Sequence, residues 1–274
     1  MPNPVGIPLT IALALAGCSP EIDADMTTET SQAAAAARFS DRDRALAEAV
    51  FQGSAAEIAA LVEAGGNPSA VNEEGKPLLL LPVEAGDVET FRALLAAGAD
   101  PLRRLPNGQI PMQYAVQAAG TEFTAAMLDA GADPDARNGA DEPMTYHAAM
   151  WNQWEDVKLL VEAGADLEAF VHGKYGDTLL GYYVGGQWDK AYWLLERGAR
   201  PDYELKAAAP GQKHRIGTKP ILEAIFWRDV DPGAFPELAE WQARAQALIL
   251  ERGYERPPEP ERFREDRERR MRGG

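Results

Sequence analysis

The sequence predicts an all-α chain, a solenoid of about six helix–turn–helix repeats joined by finger loops. Two observations carry this expectation. First, a four-residue signature recurs: Gly65-Gly66-Asn67-Pro68, Gly98-Ala99-Asp100-Pro101, Gly131-Ala132-Asp133-Pro134, Gly164-Ala165-Asp166-Leu167 and Gly198-Ala199-Arg200-Pro201, spaced 33, 33, 33 and 34 residues apart. A fixed period of this size is the mark of a repeat architecture. Second, signatures follow amphipathic runs such as Ile58-Ala59-Ala60-Leu61-Val62, Phe91-Arg92-Ala93-Leu94-Leu95, Val157-Lys158-Leu159-Leu160-Val161 and Tyr192-Trp193-Leu194-Leu195. The leading Gly supplies the left-handed conformation that ends a helix, and the Pro discourages resumption.

Taken from the start, residues 5–17 form an apolar stretch too short to span a membrane and read as the core of a signal peptide. The stretch ends in Leu15-Ala16-Gly17-Cys18, and Cys18 is the one cysteine of the chain. This resembles the lipobox of bacterial lipoproteins, in which a small residue before Cys permits cleavage and the thiol receives a lipid. The resemblance implies residues 1–17 as a lipoprotein signal peptide and acylated Cys18 as the membrane attachment. Each buried CH2 of an acyl chain contributes about 0.8 kcal/mol. Ser19 in the following position implies the periplasmic face of the outer membrane. The leader departs from the secretory pattern in one respect: residues 1–10 contain no Lys or Arg. Residues 18–39, acidic at Glu21, Asp23, Asp25 and Glu29 and then Ala-rich, read as a flexible tether.

The repeat domain is expected over residues 40–256. Beyond each glycine signature comes a second motif, clearest in Gly108-Gln109-Ile110-Pro111-Met112-Gln113-Tyr114-Ala115 and Gly217-Thr218-Lys219-Pro220-Ile221-Leu222-Glu223-Ala224. Gly176-Asp177-Thr178-Leu179-Leu180 and Pro143-Met144-Thr145-Tyr146 are weaker versions. These segments resemble the G-x-T-P-L-H-x-A signature of the ankyrin-repeat family, whose Pro sits in a first helical turn where its missing N–H is harmless. The signature's Thr and His, which tie one turn to the next, are mostly absent, so the repeats are expected to be less rigid than a consensus array. A lengthened finger before Thr218 carries Lys206, Lys213, His214 and Arg215, and a Pro-rich insertion (229–237) interrupts the sixth pair. A capping helix is expected over about 238–252, then a charged, solvated C-terminal tail over 257–274.

Catalytic chemistry is not expected. His147 falls inside a first helix, as a structural residue, and His172 and His214 lie on different fingers without metal-site spacing. No nucleophile elbow, zinc-protease motif or phosphate-binding glycine loop occurs. The chain is therefore read as a non-enzyme with no cofactor and no metal. Its formal charge is -16; the last 24 residues hold eight Arg against seven acidic residues, leaving -17 on the rest. Such a body disfavours nucleic acid and anionic membrane surfaces and favours a partner with a basic surface.

By resemblance to ankyrin arrays, a partner meets the two residues before the turn between paired helices, together with the fingers. That maps to Phe51 and Gln52, Glu84 and Ala85, Gln117 and Ala118, Met150 and Trp151, Val184 and Gly185, and Phe226 and Trp227. Phe51, Met150, Trp151 and Trp227 are residue types enriched at interface hot spots; Phe226 is expected to turn inward. The fingers offer Arg103, Arg104, Asn107, Arg137, Asn138, His172, Lys174 and Tyr175. Trp154 and Trp188, at one second-helix position, are expected to wedge neighbouring repeats. An exported, lipid-anchored, acidic array resembles the ankyrin-type lipoproteins that act as immunity proteins to secreted antibacterial effectors of the lipase or phospholipase class. The implied role is a protein, monomeric before complex formation, that occludes such an effector's active site. The alternative is a periplasmic scaffold or stress-linked binding protein supporting a resident envelope enzyme.

The anchoring expectation has a direct test. The wild-type protein should fractionate with membranes and Cys18→Ala, still exported, should become soluble. Equal membrane association of both forms would refute the lipoprotein reading.

Overall fold

A computed structural model describes residues 31–171, 178–205 and 216–273; Cys18, His172, Lys174, Tyr175, Lys206, Lys213, His214 and Arg215 lie outside them. Within these residues the secondary structure is helical. A short helix α1 (31–36) leads into six pairs: α2 (Arg44–Phe51) with α3 (Ala55–Glu63), α4 (Leu80–Ala85) with α5 (Val88–Ala96), α6 (Pro111–Gln117) with α7 (Glu122–Asp129), α8 (Met144–Met150) with α9 (Trp154–Glu162), α10 (Leu179–Tyr183) with α11 (Trp188–Glu196), and α12 (Pro220–Trp227) with α13 (Pro236–Glu251). A last helix, α14 (Glu261–Gly273), follows.

The signature glycines act at the backbone. Gly65, Gly98, Gly131, Gly164 and Gly198 have φ between 85° and 102°. At Gly98, typical of the five, its N–H donates to the Leu95 carbonyl and the Ala99 N–H to the Leu94 carbonyl, both at 2.9 Å. This Schellman arrangement satisfies carbonyls that the end of a helix leaves unpaired. The signature's third residue then shapes the finger. Asp100, Asp133 and Asp166 each accept on Oδ1 from the N–H two residues on, at 2.9 Å, and Asn67 does so at 3.0 Å. Such Asx turns explain why an acid or amide stands there.

Packing proceeds in chain order. The helices of each pair pack together; α2, α4, α6, α8, α10 and α12 form one row, each on the next. The second helices form another, α3 through α9, with α11 on α13. Between α9 and α11 the link is made by side chains: the Trp154 and Trp193 rings lie 5.2 Å apart edge to face, and Arg197 reaches Glu162 at 3.7 Å. Leu46, Ile58, Phe91, Leu94, Met112, Met144, Leu160, Tyr183 and Trp188 are fully buried along the body.

Two boundaries differ from the sequence expectation. Ala36 and Phe39 are buried in the core and the Glu73 N–H donates to the Arg38 carbonyl at 3.0 Å, so residues 31–39 belong to the folded body and not to the tether. Apolar burial outweighs the Ala-rich composition there. Part of the expected solvated tail packs back: the Pro257 carbonyl accepts from Trp227 and Phe263 lies against the core, while residues 264, 265 and 267–269 of α14 are exposed as expected.

The missing Thr and His ties have a counterpart elsewhere. Ser69 Oγ, Asp135 Oδ1 and Glu168 Oε1 accept from the Asp100, Asp166 and Arg200 N–H groups of the following repeats at 2.8, 2.6 and 2.8 Å. Arg137 Nη1 donates to the Phe170 carbonyl of the next finger at 2.8 Å. Successive repeats are thus joined by hydrogen bonds at signature and finger, which the departures from the resembled signature had not led us to expect.

One buried group works against the fold. Asp156 on α9 is 1% exposed, and burial pushes its carboxyl up to about 6, against the opposing effect of the Thr124 hydroxyl; Glu122 and Glu155 push the same way as burial. The stability gained from the protonated form is fully present below 3.8 and is lost as pH rises through about 6.

Two substitutions test these points. Above about pH 7, Asp156→Asn should stabilise the chain by roughly 2 kcal/mol in denaturant melts, and the gain should vanish near about pH 4; a gain equal at both would rule out the buried charge. A Cβ on Gly131 would meet nothing within 4 Å. Gly131→Ala should therefore cost about 1 kcal/mol, through the positive φ alone. Hydrogen exchange should locate that loss in the two adjoining repeats; a uniform loss across the chain would argue against stacking of separable repeats.

Candidate functional site on the exposed side of the first helices

The row of first helices carries one exposed apolar pair; a further exposed ring, Phe235, stands at the start of α13. Met150 and Trp151, at the end of α8, are 46% and 53% exposed. Their exposure follows from the local chain. Asn152 takes the left-handed conformation (φ 57°), and the Asn152 and Gln153 N–H groups donate to the Ala149 and Ala148 carbonyls at 3.0 and 2.9 Å. This cap turns the chain abruptly into α9, leaving Trp151 outside the helix packing.

A polar network lies beside Trp151. The buried His147 ring centroid is 6.3 Å from that of Trp151. Its Nε2 is 2.8 Å from the Gln117 amide nitrogen, from α6, and its Nδ1 is 3.7 Å from a Glu142 carboxylate oxygen. With the amide donating, Nε2 accepts and the ring proton sits on Nδ1, toward Glu142. Burial holds this imidazole below the usual histidine range, and the Glu142 charge opposes the effect. The neutral ring fixes Gln117 against α8. Gln117, Met150 and Trp151 are thereby brought into one neighbourhood.

A second feature was missed in the sequence. The residue three places beyond the helix-opening Pro is Tyr114 in α6, Tyr146 in α8 and, three beyond Leu179, Tyr182 in α10. All three are half-buried, and the Tyr146 and Tyr182 rings meet edge to face at 5.4 Å. Tyr182 Oη donates to the Ala149 carbonyl at 3.3 Å, linking α10 to α8 next to Met150. Counting from the helix-opening Pro would have found Tyr114 and Tyr146, and Tyr182 once Leu179 is taken in the place of that Pro. In α12 the same position is Glu223.

The remaining expected contacts separate. Phe51 is half-buried against the core at the far end of the row. Glu84 is exposed but paired to Lys76 of the preceding finger. Arg104 is exposed. Three finger residues serve the fingers themselves. Arg103 donates to the Ser69 carbonyl and Arg137 to the Asp141 and Phe170 carbonyls. Asn107 Oδ1 accepts from the Gln109 N–H at 3.0 Å within its own tip.

Two expected contacts are corrected. Asn138 is 5% exposed; its Oδ1 accepts from the Ala140 and Glu142 N–H groups at 2.9 and 3.0 Å, so it shapes the finger and does not face a partner. Trp227 is covered: its indole N–H donates to the Pro257 carbonyl at 2.9 Å and the Arg256 guanidinium lies 4.1 Å from its ring. Phe226 is buried, as expected, and so is Val184.

Among the described residues no cluster of three or more His, Cys, Asp and Glu side chains is placed to hold a metal ion, and no helix is long and apolar enough to cross a membrane. No family model matches the chain, and no curated protein matches it in sequence.

Thermal melts separate surface from core. Trp188 is 1% exposed, so Trp188→Ala should destabilise by about 3 kcal/mol or more. Trp151→Ala should stay within about 0.5 kcal/mol of wild type, as substitutions at exposed positions do. Equal losses in both variants would mean that the inner and outer faces are wrongly assigned.

Proposed function

We propose that the chain is a protein-binding array of the ankyrin type, without catalytic activity and anchored by a lipid on Cys18 at the periplasmic face of the outer membrane. Its most specific reading is an immunity protein that binds and neutralises a secreted antibacterial effector of the lipase or phospholipase class by covering the active site. The observation that carries the binding role is the adjacent, exposed Met150 and Trp151 beside a row of half-buried tyrosines. Aromatic residues backed by a fixed polar network resemble interface hot spots. The stacking of helix pairs in chain order supports an ankyrin-type arrangement. The excess negative charge favours capture of a basic partner by electrostatic steering. A lipid tether would raise the local concentration of the inhibitor at the membrane the effector attacks.

The test is capture from envelope extracts with soluble Cys18→Ala protein as bait. The expected product is one basic protein that is toxic when exported alone, with Trp151→Ala weakening its binding by about 2 kcal/mol or more. Capture of a resident, non-toxic envelope enzyme would replace the immunity reading with that of a scaffold. Undiminished capture by Trp151→Ala would move the contact surface elsewhere.

A further inference from the structure

Beyond α13 the chain doubles back over the end of the first-helix row. Residues 256 and 257 cover Trp227, and α14 then brings Arg262 to Glu223 at 2.6 Å and sets Phe263 against the core. Three observations bear on this contact. Outside Phe263 and Met271, every residue from 261 to 272 is charged, so α14 has little apolar surface to hold it in place. A cleft of about 370 Å³ remains beside Phe263, lined by Val184, Ile221 and Ala224. Another of about 380 Å³, reaching Trp188 and Leu238, also borders Phe263. Both clefts open to solvent, so the Phe263 ring is only partly enclosed.

The third observation is chemical. The Glu223 side chain is only 11% exposed, and Arg262 is the cation paired with it. A carboxylate is costly to bury without such a partner. Glu223 also stands at the helix position that holds tyrosine in α6, α8 and α10. The tyrosines of α6, α8 and α10 are therefore followed in α12 by a carboxylate that takes a cation, next to a cleft lined by apolar side chains and by Arg228.

We infer that the α10–α12 face is a second part of the partner surface, taking an arginine and an adjacent aromatic side chain from a basic segment of the partner. In the free chain its own Arg262 and Phe263 hold that place, and the partner displaces them. The inference rests on the proposal that the partner is a basic protein. It adds the chemistry of one contact and a reason why the free protein does not leave Glu223 and the cleft bare.

A fluorescent peptide copying residues 257–272, added to the full chain and followed by anisotropy, tests the exchange. Wild type should bind it weakly, because the attached copy competes. Phe263→Ala should bind it at least about tenfold more tightly, and adding Glu223→Gln should reverse that gain. A peptide with Ala in place of Arg262 and Phe263 should not compete. Equal binding by wild type and Phe263→Ala, or no effect of Glu223→Gln, overturns the inference. Should Phe263→Ala fail to fold, α14 is a structural cap and the inference is equally overturned. Hydrogen exchange on the wild type gives an independent reading: α14 should exchange at least about a hundredfold faster than α13, and equal protection of the two would refute a displaceable segment. A wild-type dimer formed by exchange of α14 would make a second copy the occupant in place of a partner. Peptide binding without capture of any basic protein would keep this site and remove the proposed function. Capture through Trp151 without peptide binding would do the reverse.

Discussion

The architecture depends on one backbone constraint: each second helix must end in a left-handed turn that returns the chain toward the fingers. The signature glycines satisfy it at φ values closed to most side chains. Once that turn is made, the next residues have defined tasks. The Asx side chain folds the finger's first bend, and the N–H of the following signature's Asp or Arg is accepted by Ser69, Asp135 or Glu168. Helix end, finger entry and contact between repeats are thus set by a handful of neighbouring residues. The hydrophobic rows need only supply adhesion, because orientation is already fixed.

The seam between α9 and α11 is built differently. Trp154 stands edge to face with both Tyr183 and Trp193, at 5.3 and 5.2 Å, and Lys190 lies 5.4 and 5.5 Å from the Trp154 and Tyr183 rings. Edge-to-face geometry places the positive rim of one ring against the negative face of another, and the lysine charge adds to the attraction. Burial of the Tyr183 hydroxyl raises its pKa. On the first-helix side the same seam is crossed by the Tyr146–Tyr182 contact. The exposed aromatic surface is therefore continuous with the packing that joins these two repeats.

Much of the helical pattern was legible because it is local. A Gly after an amphipathic run, or a Pro opening a helix, acts on its own turn and needs no distant partner. The structural role of Trp154 and Trp188 was legible from their shared helix position: Trp154 meets two rings of the next repeat, and Trp188 is buried. What could not be read depended on separation in sequence. Gln117 and His147 meet across 30 residues, and Trp227 is covered by a proline 30 residues beyond it. The charge of residues 261–272 concealed the consequence of Phe263, since composition averages over the one ring that packs. Asn138 misled for a different reason. An amide at a fingertip serves recognition or turn formation equally well by type, and only its burial separates the two. Cys18 and the finger residues His172, Lys174 and Tyr175 fall outside the described structure, so their roles remain those proposed from sequence.

The fingers also meet where neither has a side chain. A Cβ on Gly139 would stand 2.5 Å from the Gly108 carbonyl oxygen, so these two tips approach backbone to backbone. A molecule arriving there encounters peptide dipoles, whose chemistry is the same in every protein. Discrimination between rival ligands cannot be encoded at that point, and drift in the residues around it has no side chain there to alter. Among the described residues the contact is confined to this pair of tips: at the preceding pair a Cβ on Gly75 would meet the Pro106 side chain at 3.1 Å, so there the neighbouring residue does set the fit.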